Sequence, residues 1–271
     1  MLTSRVRVAA LVMAVSFGGW SMAQSSSDGT TKVFPYAYVV KDLPNGLRVI
    51  AIPTGFPDLV ALQIAVSVGS RNEVEPGRSG FAHFFEHMMF RGTKRFSADA
   101  YNETLKRAGA DSNAFTTDDF TNYHTTFAKE DLETIIEIEA DRFQHLDYPI
   151  AGFKTEAMAV LGEYNKNYAD PLRKLFETQR DAAYSTHTYK HTTMGFLADI
   201  EKMPQMFDYS RQFFDRHYRP ERTTIIVAGD VDAENVFALI EKHWAAWKKG
   251  EATPVIPAEP EPQAAISRHI A

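Results

Sequence analysis

Two periodicities alternate along the chain. Residues 47–52 and 59–68 are β-type apolar runs, the first opened by an Asn45-Gly46 turn, and their spacing predicts early hairpin pairing. A helix is predicted over residues 80–90, capped by Ser79 and stopped by Gly92. Residues 97–108 follow the same logic: Ser97 caps, Ala98, Tyr101 and Leu105 share a face, and Gly109 ends the helix. The Thr- and Tyr-rich stretch 121–127 reads as a strand. Residues 132–144 place Ile135, Ile136, Ile138 and Phe143 at helical spacing, and 153–165 and 172–183 read as helices too. Residues 223–228 (TTIIVA) form a buried strand, followed by a Gly229-Asp230 turn and a helix through Trp247. Strands and helices interleave, with helix pairs in the middle. That order predicts an α+β fold, a mixed and largely antiparallel sheet covered by helices, rather than a doubly wound sheet.

The two ends read differently. Residues 1–23 have the form of a secretory signal: Arg5 and Arg7, an apolar stretch 8–17, and a Ser21-Met22-Ala23 cleavage site. The apolar stretch is well short of the ~20 residues a membrane span needs. The expectation is therefore export to a periplasmic or secreted location, with no membrane attachment after cleavage. Residues 24–34 are a flexible lead-in, and 35–250 form the folded domain. Beyond Gly250 the chain turns Pro- and Glu-rich (ATPVIPAEPEPQ), which reads as a semi-rigid linker over 251–271.

Composition narrows the chemistry. Among 271 residues there is no cysteine, so any metal must be held by histidine and carboxylate. A formal charge of −6 argues against nucleic acid as a partner. The strongest chemical signal is His83-Phe84-Phe85-Glu86-His87. On a helix the two histidines lie one turn apart on one face and reach the same ion, with Glu86 flanking that face within reach of a coordinated water. This is the inverted counterpart of the H-E-x-x-H arrangement. A catalytic zinc site needs a third protein ligand. Glu156 and Glu163, two turns apart on the predicted 153–165 helix, share a face; spacing alone leaves open which binds the ion and which supports a ligand.

The stretch Gly80-Phe-Ala-His-Phe-Phe-Glu-His-Met-Met-Phe-Arg-Gly-Thr93 resembles the signature of the pitrilysin-type zinc peptidases. Residues 111–116 (DSNAFT), Ala140-Asp141-Arg142, residues 195–200 (GFLADI), Tyr218-Arg219-Pro220 and residues 227–230 (VAGD) match further segments of that family, though Asp111-Ser112 stands where the family has a glycine pair. The resemblance spans about residues 35–250. It implies a zinc endopeptidase with one Zn²⁺ per chain, held by His83, His87 and Glu163, with Glu156 as accessory glutamate and Glu86 as general base. It implies that Asn113 and Ala114 lie on an edge strand to which a peptide substrate adds. Because zinc requires neutral imidazoles, activity is expected to fall below the usual histidine pKa of ~6.5. Family members have two similar halves, so the resemblance also implies a homologous partner half, with Ser267-Arg268-His269-Ile270 resembling its first strand. The competing expectation is a non-catalytic peptide-binding or assembly subunit of the same fold.

Overall fold

A computed structural model describes residues 34–251 and 253–261. The leader, nearly all of the lead-in and residues 262–271 lie outside the described residues. Six strands form one sheet: β1 (Val39–Asp42), β2 (Arg48–Pro53), β3 (Leu59–Val66), β4 (Asp111–Thr116), β5 (Thr121–Ala128) and β6 (Thr223–Gly229). Their spatial order is β1-β2-β6-β3-β5-β4. All neighbours run antiparallel except β2 and β6, which are parallel. The expected mixed, largely antiparallel α+β sheet is thus what forms. The early runs do not pair with each other, however: β2 makes its hairpin with β1, through the Asn45-Gly46 turn, and β6 separates it from β3. A run as apolar as 223–228 is buried on most sides, which only a central position satisfies.

Period-two alternation sets one face inward. In β3, Val60, Leu62, Ile64 and Val66 are buried, whereas Ala61, Gln63 and Ala65 stay half-buried on the opposite face. The register aligns Val49, Ile225, Ile64, Tyr123 and Ala114 as one buried row across five strands.

The helices are α1 (Phe81–Met88), α2 (Ala98–Arg107), α3 (Leu132–His145), α4 (Ile150–Tyr168), α5 (Pro171–Ala183), α6 (Leu197–Ile200), α7 (Phe207–His217) and α8 (Ala233–Trp244). α8 ends at Trp244, so Trp247 lies beyond the helix, yet both indoles are buried as core. α7 carries no signal read from the sequence, but Tyr209 and Phe213 pack on α1.

α1 holds the site. Phe81, Ala82, Phe84, Phe85 and Met88 are fully buried, as befits a helix that is apolar nearly all round. Phe85 stacks on Phe213 at 5.6 Å and Phe84 meets Phe153 of α4 at 5.1 Å. The helix starts differently from expectation. Ser79 does not cap it: the Ser79 hydroxyl donates to Asp199 at 2.6 Å and accepts from the Phe196 amide. The N–H groups of Gly80 and Ala82, which have no partner within the helix, donate instead to the buried Glu73 carboxyl, both at 2.7 Å; burial pushes that carboxyl up to about 8 against the pull of these hydrogen bonds. Gly80 sits at φ +92°, and a Cβ there would lie 2.3 Å from Ile200.

The segment 253–261 has neither helix nor strand, but it is not free. The Glu259 carboxylate accepts hydrogen bonds from the amides of Ser185, Thr186 and His187 at 2.8–2.9 Å and from the Ser185 hydroxyl at 2.6 Å.

Candidate metal centre

α1 crosses α4, and the two sequence motifs meet there. His83 Nε2 lies 3.4 Å from Glu163 Oε2, and His87 Nε2 lies 3.4 Å from the same oxygen. One ligand atom from each of the three residues falls within 4.8 Å of the others. Four donors at zinc bond lengths of roughly 2.0–2.1 Å stand about 3.4 Å apart at the corners of a tetrahedron. Both imidazole nitrogens have that spacing from the carboxylate oxygen, and two imidazoles with one carboxylate are a donor set suited to zinc.

Glu163 is half-buried. Hydrogen bonding from His83 pulls its carboxyl down to about 2 against the opposing effect of burial, and the charges of His83 and His87 act in the same direction. The carboxylate therefore stays ionised, as a metal ligand must. Asn167, one turn on, reaches its other oxygen at 3.5 Å.

Glu156, two turns before Glu163, is buried beside the second histidine, with its Oε2 3.5 Å from His87 Nδ1. Arg91, just past α1, pairs with the other Glu156 oxygen. A carboxylate against the far nitrogen of a ligating imidazole fixes the ring and its tautomer. The two glutamates that spacing left equivalent are thus distinguished by depth: Glu163 faces both Nε2 atoms, and Glu156 sits behind them.

Glu86, one residue before His87, is half-buried and accepts a hydrogen bond from Thr116 Oγ1 at 2.8 Å. Thr116 ends β4, an edge strand of the described sheet. Asn113 and Ala114 lie on that strand, Asn113 exposed and Ala114 facing inward, with the Ala114 amide donating to Asn113 Oδ1 at 2.9 Å.

A family model described as "Insulinase (Peptidase family M16)" matches residues 48–196, which contain all of these residues, and a second, "Peptidase M16 inactive domain", matches 207–270. The chain belongs to peptidase family M16.

M16 proteins similar to this one include the zinc protease PqqE of Helicobacter pylori, 32% identical over 211 residues, which are 76% of this chain and 46% of that one. The crystal structure of a protease from Helicobacter pylori superposes with a TM-score of 0.79 at 30% identity, covering 83% of this chain and 55% of that one. The first half of the periplasmic protease PqqL from Escherichia coli gives 0.71 at 27% identity, covering 81% and 48%. The chain spans about half the length of the curated relatives it matches. Relatives named zinc proteases agree with a zinc-binding donor set in the M16 domain.

Structure assigns contacts to three residues that the sequence reading gave no role: Thr116 on Glu86, Arg91 on Glu156, and Glu73 at the start of α1. His187 and His191, four residues apart, flank the 3-10 turn Thr188–Lys190 away from this cluster: His187 Nδ1 accepts from the Tyr189 amide, and buried His191 lies 3.7 Å from Glu73.

Proposed function

We propose that this chain is the zinc-binding half of an exported endopeptidase that cleaves peptide bonds in unfolded peptides. The observation carrying the proposal is the 3.4 Å convergence of two imidazole nitrogens on one carboxylate oxygen, with Glu86 adjacent in sequence. When bound, Zn²⁺ supplies Lewis acidity and lowers the pKa of a coordinated water to ~7. His83, His87 and Glu163 hold the ion, and Glu156 orients His87. Glu86 accepts the proton of the attacking water and returns it to the departing amine. A peptide pairing with β4 at Asn113 and Ala114 is gripped mainly by its backbone, which confers little sequence selectivity.

A zinc site on one open half does not enclose a peptide. Donors for the developing oxyanion, whose loss commonly costs about 10²–10³ in rate, come in this reading from a homologous second half. The purified chain is expected to bind one zinc by metal analysis but to hydrolyse a quenched fluorescent peptide poorly until that half is supplied; full turnover by the single chain defeats this. Glu86→Gln is expected to keep the metal and abolish cleavage, and Glu163→Gln to lose the metal. Zinc binding and peptide binding without cleavage, even with the second half present, would instead establish an assembly subunit. Export rests on residues 1–23, and N-terminal sequencing of periplasmic protein is expected to begin at Gln24.

A further inference from the structure

Thr116 faces the helices from the last position of β4, opposite Thr121. The Thr121 hydroxyl donates to the Val68 carbonyl at 2.9 Å and lies 3.5 Å from Thr116 Oγ1, so it does not compete for Glu86. The single Thr116 hydroxyl proton goes to Glu86 Oε2.

The end of the strand is also held. In the turn that follows, Asp118 accepts from Ser70 at 2.9 Å and from both terminal nitrogens of Arg180 on α5. Asp119 pairs with Arg71 at 3.0 Å and accepts from Tyr189 at 2.7 Å. The turn is thus fixed from α5 and from two loops, and Thr116 cannot drift from Glu86 without breaking these contacts.

We propose that Thr116 is a positioning residue that fixes the Glu86 carboxylate in the free chain through its hydroxyl hydrogen bond, at the end of a strand whose following turn is itself held. This rests on Glu86 being the general base.

The test compares Thr116→Val, which keeps the branched shape but removes the donor, with Thr116→Ser, which keeps the donor. Crystal structures of both are expected to show the Glu86 carboxylate displaced in the valine variant and retained in the serine variant. An undisplaced Glu86 in Thr116→Val overturns the proposal whatever the activity. With the second half supplied, Thr116→Val is expected to lower kcat about tenfold or more, the scale of one hydrogen bond to a charged group, with KM, zinc content and melting temperature unchanged. Thr116→Ser is expected to restore kcat. Equal losses in the two variants mark Thr116 as merely structural and overturn the proposal. If Glu86→Gln cleaves as fast as wild type, the reading of Glu86 as base fails; the crystallographic comparison still decides whether Thr116 places that side chain.

Discussion

His217 is enclosed at the end of α7, with neither ring nitrogen hydrogen-bonded among the described residues and the Phe213 ring 4.5 Å away. Burial, reinforced by the like charges of Arg222 and Arg216, holds its imidazole down to about 3. An unfolded histidine takes its proton near 6.5. Between those values the unfolded chain binds a proton that the folded chain refuses. This contribution to stability is therefore complete above about pH 6.5 and declines as the solution is acidified, by on the order of 3 kcal/mol at pH 4. His217→Phe is expected to flatten that decline. Denaturant unfolding of the zinc-free protein at pH 7 and pH 4.5 measures it, and an equal decline in variant and wild type would refute it. Among the site residues, His83, Glu86 and His87 were legible because helical periodicity alone puts them together. Glu163 was not separable from Glu156 by spacing, because both lie on one face and only depth against α1 distinguishes them. Thr116 and Arg91 stand in segments that resemble the family, but their partners were not legible: these lie 30 and 65 residues away in sequence, and no local pattern encodes a meeting across the fold.

At the level of elements, strands and helices with strong periodicity were read nearly in place, while α7 and β1 escaped. α7 mixes buried Tyr209, Phe213 and His217 with charged positions, and β1 is four residues, mostly exposed. Neither presents a long apolar stripe. The Ser79 cap failed because its hydroxyl is engaged by Asp199 and the Phe196 amide, and the buried Glu73 carboxyl takes the helix N–H donors in its place. A second acidic side chain, here ionised and accepting charge-assisted hydrogen bonds, attaches segment 253–261. Amide and hydroxyl donors from residues 185–187 hold the Glu259 carboxyl down to about 2. The attachment is therefore present above the ordinary glutamate range near 4.3 and is released only as pH approaches 2. Amide NMR signals of Ser185, Thr186 and His187 are expected to stay fixed between pH 6 and 4, and to shift at neutral pH in Glu259→Gln. Midpoints near 4.3 in wild type would show that the carboxylate is free.

For the whole molecule, the fold class followed from the alternation of elements, but the strand order did not, because β6 enters the sheet from more than 90 residues beyond β5. Before it arrives, the sheet exists as two separate pieces, β1-β2 and β3-β5-β4. Joining them closes loops of great length, and contacts this distant slow folding. During synthesis both inner edges stay open until Gly229 has left the ribosome, and apolar strands with unpaired backbone invite association with other chains. A chain ending before Thr223 is expected to aggregate rather than fold, which sedimentation of the truncated protein checks; a soluble, zinc-binding truncation would contradict it. A cell making this protein would then need to keep it unassociated over most of its translation, so its yield would depend on chaperone supply more than on the stability of the finished domain.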